Sequence, residues 1–391
     1  MSASDARACA LRDAARELAP AISAAAPEIE QTREIPKPVF AAMADAGLFH
    51  MMVPHELGGS ELTLPQYIEV LEEIGKADAS TAWCLNQGGI WATHACCMEP
   101  DLAREVFFSV PRSVVANTPA PTATAVPVEG GYLVTGRQGF STGSRHASWI
   151  AARGKILDDG QVRNLPNGAE DARFFMFPVG EVKILDTWHT RGLRGTGTNH
   201  FEVKDAFVPE HRTFWQSAPP RPEYGPLYAV PRSLLFATGD ATIAVGLARR
   251  TLDAFIELAK EKTPGTSSAR LAEQPLVQYE LGQAEAHLRA ARALLFETVR
   301  EVWGPISQTG VMTMPQRVAL RTATTFALRG GAKVVDTAYN LAGATAVLES
   351  HPLQRYFQDA HVITQHVQSR LSHYELVGRH YLGVGTGDQY L

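Results

Sequence analysis

The spacing of apolar residues predicts a helical beginning to the chain. One set recurs every three or four residues, as on one face of an amphipathic helix, at Leu11, Ala15, Leu18, Ala19 and Ile22. The same period returns at Ile68, Leu71, Ile74 and Gly75. Pro36 and Pro38 interrupt the pattern between these two runs. Residues 1–115 are therefore expected to form an N-terminal α-helical domain.

Near residue 115 the pattern changes from a helical period to alternation. Apolar residues alternate on both sides of Glu129-Gly130-Gly131, which indicates a β-hairpin, at Val126, Val128, Tyr132 and Val134. Further strands are expected at residues 147–154, 173–178 and 200–207. Residues 116–225 are therefore expected to form a middle β domain, a small barrel or sandwich, that ends in a proline-rich linker.

The last part of the chain returns to the helical period. A first long run contains Leu281, Ala284, Leu288, Ala291, Leu295 and Val302. A second run contains Leu320, Ala323, Ala327, Val334 and Ala338. Antiparallel helices of this length favour a four-helix bundle over residues 226–391. The predicted fold class is α+β and mainly α, with helices first, strands in the middle and a bundle at the end.

Composition and charge indicate a cytoplasmic enzyme. The net charge of −5 is spread along the 391 residues, so neither nucleic acid nor an anionic membrane is expected as a partner. The apolar runs are far shorter than the roughly 20 residues of a membrane helix, and the N-terminus lacks the apolar core of a signal peptide. The 45% hydrophobic content is sufficient for a large core.

The cysteines are not spaced as metal ligands, so no metal site is expected. They are Cys9, Cys84, Cys96 and Cys97. The adjacent pair at 96–97 allows a strained vicinal disulfide, although reduced, buried thiols are the expectation for a cytoplasmic protein. The sequence GLRGTG at residues 192–197 lacks the strand–turn–helix context and the later acidic residue of a dinucleotide fingerprint, so it is not interpreted as one.

The segment HPLQRYFQDAHVITQHVQ, residues 351–368, is similar to the segment of the acyl-CoA dehydrogenase superfamily that closes over the flavin. Many of the dehydrogenases carry a catalytic Glu there, in a motif close to R-x-x-R-D-A-K-x-x-x-I-Y-E-G. With Asp359-Ala360-His361 on the D-A-K, His366 stands at the Tyr and Val367 at the Glu. The base that removes an α-proton from an acyl thioester is therefore missing. The ending D-A-H-x-x-x-x-H resembles instead the oxygenase component of two-component flavin monooxygenases.

Other segments resemble the same superfamily, in order, along nearly the whole chain. In the N-terminal part they are the I-P at 35–36, the P-H-E-L-G-G at 54–59 and residues 71–83. In the middle, F-S-T-G-S followed by H-A-S-W, residues 140–149, resembles the monooxygenase motif W-S-S-G-x-x-H-A-x-W. The resemblance implies the acyl-CoA dehydrogenase fold, with an N-terminal helical domain, a middle β-barrel domain and a C-terminal four-helix bundle.

The resemblance also implies the reaction. Reduced flavin, FADH2 or FMNH2, is expected from a separate NAD(P)H-flavin reductase, and a C4a-hydroperoxyflavin formed with O2 is expected to hydroxylate a small aromatic substrate. The choice between FAD and FMN stays open because the R-x-x-F-G flavin motif of the dehydrogenases is not intact; Lys262 and Arg270 are the candidates for a phosphate contact. Two alternatives are a flavin dehydrogenase or oxidase with its base elsewhere, and a non-enzymatic scaffold or ligand-binding member of the fold.

Candidate flavin contacts follow from the same motifs. Thr142 stands where the family places a hydroxyl beside flavin N5, and a hydroxyl can both donate and accept there; the alternative is a threonine that only satisfies the local backbone. Ser141 and Gly143 flank it and are expected to give backbone contacts. Trp188 either packs on the flavin ring or fills the core. Arg355 is expected either to meet the cofactor pyrophosphate or to pair with Asp359.

His366 is the expected base toward the substrate, because a histidine can take up and return a proton near neutral pH. The alternative is a surface or core histidine without a catalytic part. Trp83 stands where related monooxygenases place a pocket aromatic, and His94 is a second catalytic candidate. His146 is expected to orient a loop.

A turn near the end of the chain indicates the assembly. Asn340, Gly343 and Ala344 stand where relatives carry a Q-x-x-G-G-x-G turn that touches the flavin of a neighbouring subunit. A homotetramer is therefore expected.

Overall fold

Helices occupy both ends of the chain and strands occupy the middle. The structure, a computed structural model, describes residues 3–118, 120–385 and 391. Its described α-helices are α1 (Ala3–Thr32), α2 (Lys37–Asp45), α3 (Leu64–Ala77), α4 (Ala79–Trp91), α5 (Pro100–Phe108), α6 (Arg232–Glu261), α7 (Pro275–Thr309), α8 (Met314–Ala342), α9 (Pro352–Ile363) and α10 (Ser372–Tyr381). The predicted helical runs are confirmed. None of these helices is both long and apolar enough to cross a membrane.

The strands between the two helical parts form one mixed sheet. They are β1 (Val115–Asn117), β2 (Ala123–Val128), β3 (Gly131–Ser141), β4 (Trp149–Asp158), β5 (Gln161–Val162), β6 (Ala172–Pro178), β7 (Lys183–Leu185), β8 (Asn199–Pro209) and β9 (Thr213–Phe214). The order is β7-β8-β3-β2-β4-β6-β9, and β1 and β5 pair with β4. The predicted hairpin is the antiparallel pair of β2 and β3, and the other three predicted strands are β4, β6 and β8.

The face of β2 that points inward differs from what its apolar residues suggest. Ala125 pairs with Val134, and both are buried, whereas Val126 pairs with Leu133 and is 49% exposed. The strands approach closely here, since a Cβ on Gly136 would lie 2.8 Å from Ala123. Ala123 and Ala125 face inward beside the larger buried side chains of Val134 and Ile156.

The two helical parts share one hydrophobic core. α6, α7 and α8 pack against one another, and α3 of the N-terminal part packs on α6. The approach is close, because a Cβ on Gly246 would lie 2.9 Å from the Gly75 carbonyl carbon. The N-terminal helices are thereby held in place against the bundle.

Polar capping residues determine where α3 and α4 begin. The hydroxyl of Thr63 accepts from the Gln66 N–H at 3.3 Å at the start of α3, in a capping box. At the other end of α3, the Asp78 carboxylate accepts from the Thr81 N–H at 2.8 Å and begins α4. α4 then runs beside α6, which brings the polar residues of the two helices together.

Candidate active site

His366 lies in the turn that follows α9, against side chains from two other helices. Its Nδ1 is 2.7 Å from Oδ2 of Asp240 on α6. The Trp83 ring on α4 meets the imidazole edge-on, with 5.1 Å between ring centroids. The His366 side chain is 31% exposed, so it is supported on one side and accessible on the other. The structure thus brings together two residues that the sequence nominated separately.

The Asp240 carboxylate is fully buried and is surrounded by polar groups. Its Oδ1 accepts hydrogen bonds from Asn86 Nδ2 at 2.9 Å and from Gln87 Nε2 at 3.2 Å. The Tyr67 hydroxyl donates in turn to Asn86 Oδ1 at 2.9 Å. A buried carboxylate is costly unless it is paired and hydrogen-bonded, and here Oδ1 accepts two amide hydrogen bonds while Oδ2 lies beside His366 Nδ1. Burial, followed by the negative charge of Asp240, raises the pKa of Tyr67 well above its usual range.

Asp240 was missed by the sequence analysis, although a signal was present. It stands inside the apolar run SLLFATGDATIAVGLA of α6, where a charged residue is rare without a partner. The preceding Gly239 allows the contact with α4, because a Cβ there would lie 1.8 Å from Asn86 Oδ1. Any side chain at position 239 would displace the amide that holds Asp240.

Thr142 belongs to a small cluster of hydroxyl groups at the end of β3. Its Oγ1 is 3.0 Å from Thr198 Oγ1, which is 2.7 Å from Thr196 Oγ1. The Cys84 thiol on α4, next to Trp83, donates to the Thr196 carbonyl at 3.6 Å. This series of contacts joins the Thr142 cluster to the helix that carries Trp83. Thr142 is half-buried and keeps capacity for one more hydrogen bond.

The residues next to Thr142 present a free hydroxyl and an aromatic ring to a possible ligand. Ser141 is buried, and its hydroxyl has no hydrogen-bond partner among the described residues. Gly143 has φ +72 and donates its N–H to the Thr196 carbonyl at 2.9 Å. Trp188 is half-buried and is fixed by a 2.9 Å hydrogen bond from Nε1 to the Leu193 carbonyl.

Phe140 is an additional candidate that the sequence analysis did not single out. It has φ +62 at an irregularity between β3 and β8, and it is 70% exposed. Its ring faces Trp188 edge-on, with 6.4 Å between centroids. A bulky residue in the left-handed region is strained, and such strain concentrates at functional sites. The available signal was its position in the 140–149 motif.

The loop after β7 is joined to α9 by a buried carboxylate. The Leu193 N–H donates to Asp359 Oδ1 at 2.6 Å, and burial, followed by the charge of Asp78, raises the pKa of Asp359 well above its usual range. The loop also approaches α9 closely, since a Cβ on Gly192 would lie 2.3 Å from the Gln358 carbonyl oxygen. This contact sets the position of His366 relative to the Thr142 cluster.

Arg355, one turn before Asp359, lines a cavity, and its charge also acts on that carboxylate. Its Nε is buried without a hydrogen-bond partner among the described residues. The cavity measures about 540 Å³ and includes three further arginines, Arg191, Arg194 and Arg250, together with Glu30 and Glu349. The excess of guanidinium groups suits a phosphate, so this cavity is a candidate for the phosphate end of a cofactor.

The predicted turn at the end of α8 lies in a different place. Asn340, Gly343 and Ala344 are exposed there, and Gly343 has φ +58. Lys262 reaches the same turn and donates to the Ala342 carbonyl at 2.6 Å. Within the described ranges no hydrogen bond joins this turn to the Thr142 cluster. Arg270, the other phosphate candidate, is exposed and pairs with Glu273 at 2.7 Å.

His94 and His146 have environments unlike that of His366. His94 is buried, with Nδ1 2.8 Å from the Trp91 carbonyl, and burial followed by the charge of Arg232 lowers its pKa well below the usual range. His146 accepts from the Ile35 N–H at 3.1 Å and stacks on Phe40. Burial, followed by the charge of Arg145, lowers the pKa of His146 to about 4. It is therefore a neutral acceptor that holds the segment after α1 against the loop that contains His146.

These residues fit a flavin. Phe140 and Trp188 offer aromatic surface beside the half-satisfied Thr142 hydroxyl and the unpartnered Ser141 hydroxyl. Flat heteroaromatic rings with polar edges take up such a mixture of apolar walls and a few placed polar groups. In the described part of the chain no group of three or more His, Cys, Asp or Glu residues could hold a metal ion.

Comparison with known proteins gives consistent matches. The family described as "Acyl-CoA dehydrogenase, N-terminal domain" matches residues 6–97, and "Acyl-CoA dehydrogenase, C-terminal domain" matches residues 238–370. The indole-3-acetate monooxygenase of Pseudomonas putida is 31% identical over 87% of this chain and 85% of its own length. The flavin-dependent monooxygenase oxygenase subunit HsaA of Mycobacterium tuberculosis is 27% identical over 95% of each chain.

A solved structure extends the comparison to the fold. The crystal structure of the 3-HSA hydroxylase from Rhodococcus sp. RHA1 superposes with a TM-score of 0.87 at 25% identity. It covers 97% of this chain and 99% of its own. The 3-HSA hydroxylase therefore shares the helix–sheet–helix order of this chain.

Proposed function

This chain belongs to the flavin-dependent monooxygenases of the acyl-CoA dehydrogenase superfamily, and on that premise we propose that it is the oxygenase component that hydroxylates a small aromatic substrate. The observation that supports this most is the placement of His366 between the buried Asp240 carboxylate and the Trp83 ring. A base of this kind suits a phenol or an indole, and the glutamate of the thioester dehydrogenases is missing at Val367.

His366 is proposed to receive the proton of the substrate. Asp240 lies at Nδ1, so Nε2 is the nitrogen left for the substrate. A carboxylate behind an imidazole fixes the orientation of the ring and favours its charged form after proton transfer, and general base catalysis of this kind contributes about 10²–10⁴-fold. Trp83 forms an aromatic wall beside the same ring, which aligns a flat substrate with the base.

Ser141, Thr142, Gly143 and Trp188 are proposed to hold the flavin ring, with Phe140 beside them. The reduced flavin, when bound, supplies the activation of O2. The residues of the chain would then orient the substrate and exclude water. The Thr142 hydroxyl would form a hydrogen bond with the flavin nitrogen N5. We further propose that a separate NAD(P)H-flavin reductase supplies the reduced flavin and that the reaction takes place in the cytoplasm, in keeping with the four free cysteines.

The reaction is tested with the purified protein, chemically reduced flavin and ¹⁸O2. The substrates are a panel of phenols and indoles, including indole-3-acetate and 4-hydroxyphenylacetate. The expected result is a product that carries one ¹⁸O atom, detected by mass spectrometry. Reduction of oxidised flavin by a substrate without any reductase would contradict the proposal and favour a dehydrogenase or oxidase. Failure to bind either redox form of flavin would favour a non-enzymatic role.

A homotetramer is proposed as the working assembly. Asn340, Gly343 and Ala344 are exposed, and in the described part of the chain they share no hydrogen bond with the Thr142 cluster, which supports a role for this turn at the flavin of a neighbouring subunit. Exposed apolar side chains nearby, at Val347 and Leu348, are available for such a boundary. Light scattering that gives the mass of a single chain at every concentration would contradict this.

A further inference from the structure

We propose that Gln87 is a specificity-determining residue of the candidate active site, and that its side-chain oxygen accepts a hydrogen bond from the substrate beside the one that His366 accepts. The substrate class that this pair of acceptors fits is a phenol with a second O–H or N–H donor on the neighbouring ring atom. The role of Gln87 rests on the proposed function only for what happens to the ring, because the need for two donors can be measured by binding alone.

Gln87 lies on α4, one helical turn after Trp83. Side chains at positions i and i+4 of a helix lie one above the other, and Trp83 is the residue whose ring meets His366 edge-on. Gln87 is half-buried, whereas Trp83 before it and the neighbouring Asn86 are buried. Gln87 therefore lies on the face of α4 that meets His366, and it keeps surface that a ligand can reach.

The orientation of the Gln87 amide is fixed by its partner. Gln87 Nε2 donates to Asp240 Oδ1 at 3.2 Å. A carboxylate oxygen accepts hydrogen bonds and does not donate them, so the NH2 end of the amide points at Asp240 and the carbonyl end points away from it. Over the residues that the structure describes, no donor reaches Gln87 Oε1, and this oxygen is not enclosed. A polar group placed in this way can fix the orientation of a ligand.

Asn86 shows how a purely structural amide is used at the same carboxylate. Its Nδ2 donates to Asp240 Oδ1 at 2.9 Å, and its Oδ1 accepts from the Tyr67 hydroxyl at 2.9 Å. Both ends of the Asn86 amide are thus bonded inside the protein, and the residue is fully buried. Gln87 makes the same contact with Asp240 but leaves its oxygen free. The difference between the two neighbouring amides indicates that the Gln87 oxygen serves a group from outside the chain.

His366 presents a second acceptor from the other oxygen of Asp240. Its Nδ1 lies 2.7 Å from Asp240 Oδ2, so a neutral imidazole keeps its proton on Nδ1 and leaves Nε2 as an acceptor. Gln87 and His366 are thus held by the two oxygens of one carboxylate, and each places its free acceptor one small planar group away from it. A site with two neighbouring acceptors favours a ligand with two neighbouring donors, because an analogue that lacks one donor leaves an acceptor unpaired.

The test compares four phenols that differ at one ring position. Catechol and 2-aminophenol carry a second donor beside the hydroxyl, 2-methoxyphenol carries only an acceptor there, and phenol carries nothing. Each is titrated by calorimetry into the full chain loaded with reduced flavin under anaerobic conditions. We expect catechol and 2-aminophenol to bind about five- to tenfold more tightly than either of the other two, which is the scale of one hydrogen bond.

The variants separate the Gln87 oxygen from the support of Asp240. Gln87→Leu and Gln87→Met both remove the acceptor and are expected to bring the affinity for catechol to within about twofold of that for phenol. Asn86→Ala is the matched control, because it removes the other amide from Asp240 Oδ1. It should weaken catechol and phenol alike and keep their ratio within about twofold of that in the unmodified protein. Thermal melting of each variant shows whether it is folded.

Several results would overturn this role of Gln87. They are equal affinity for catechol and phenol in the unmodified protein, a preference that survives in both Gln87 variants, a preference that Asn86→Ala removes as well, or no binding of any of the four phenols. Product formation is recorded separately for each ligand. A preference for the second donor without oxygenated product contradicts the proposed function and leaves the role of Gln87 standing, whereas product without any preference contradicts the role of Gln87 alone.

Discussion

His94 lies in the turn that follows α4 and His366 in the turn that follows α9, and the surroundings of the two histidines differ in burial and in the charges nearby. His366 is 31% exposed and has the buried Asp240 carboxylate at 2.7 Å. His94 is enclosed by Trp91 and Phe174 and has arginine charges nearby. A carboxylate favours the protonated ring, and burial next to cations opposes it. The comparison indicates that His94 is held neutral, whereas His366 presents an accessible ring with a carboxylate behind it.

Replacing His366 is the most direct test of the difference between the two histidines. His366→Ala is expected to lower the rate of product formation about 10²–10⁴-fold, a loss of roughly 3–5 kcal/mol in the barrier, because the general base is removed. Flavin oxidation should continue, so hydrogen peroxide is expected in place of product. Product yield by chromatography and peroxide by a coupled assay measure the two.

The matched control for this variant is His361→Ala. His361 lies on the same segment and has its own carboxylate, Asp336, at 2.8 Å, but near the surface. It is expected to keep its product yield within about twofold, since exposed pairs contribute little. Full coupled activity in His366→Ala would mean that the histidine only packs against Trp83.

His146 is a second histidine whose pKa is lowered by burial, and its effect on stability can be measured. Its pKa is lowered from 6.5 to about 4, so the unfolded chain binds a proton at pH 5 that the folded chain does not. The contribution to stability is therefore present above pH 6.5 and is lost as the pH falls toward 4. The difference corresponds to about 3 kcal/mol in the free energy of unfolding.

The variant for this test is His146→Gln, because glutamine can still accept from the Ile35 N–H. Denaturant titrations at pH 7 and pH 4 should show that the unmodified protein loses about 3 kcal/mol more than the variant between the two values. His211→Gln, at an exposed histidine, is expected to follow the unmodified protein. Equal pH dependence in all three proteins would show that His146 is not the group that titrates.

Asp240→Asn tests whether the carboxylate is what distinguishes His366. The variant keeps the size of the side chain but removes the charge, so we expect product formation to fall about 10–100-fold while KM changes little, because Asp240 acts through His366 and not on the substrate. Asp336→Asn, in the exposed histidine–aspartate pair, serves as control. Unchanged product formation in Asp240→Asn, or a loss that appears in KM instead of in the turnover rate, would exclude the positioning role.

The helices and strands could be predicted from the sequence because each depends on a local periodicity of apolar residues. The helical runs at Leu11–Ile22 and Leu281–Val302 and the hairpin at Gly130 follow from residues close together in the chain. The inward face of β2 was not predictable, because it depends on how closely Gly136 approaches Ala123. Local patterns predict which residues form a strand, and only packing decides which side of it is buried.

Only the site residues that lie within recognisable motifs could be predicted from the sequence. Thr142, Trp83 and His366 were nominated from segments with a recognisable pattern, and the structure connects them through Thr196 and Cys84. Asp240 has no motif of its own. Its significance arises from partners far away in the chain, Asn86 and His366 among them. A buried charge in an apolar helix was the one available signal, and its partner could not be named without the fold.

The smallest effect we expect concerns Phe140, which pairs a strained backbone with an exposed ring. Phe140→Gly removes the ring and allows φ +62 without strain, so the flavin-free protein should gain about 1 kcal/mol in the free energy of unfolding. The affinity for reduced flavin, measured by anaerobic titration, should fall about tenfold, because one aromatic wall beside Trp188 is lost. Asp159→Gly is the control: it relieves φ +49 in an exposed turn and should raise stability to a similar extent without any change in flavin affinity. If Phe140→Gly behaves like this control, the strain at Phe140 has no functional counterpart, and the flavin ring is held by Thr142, Trp188 and their neighbours alone.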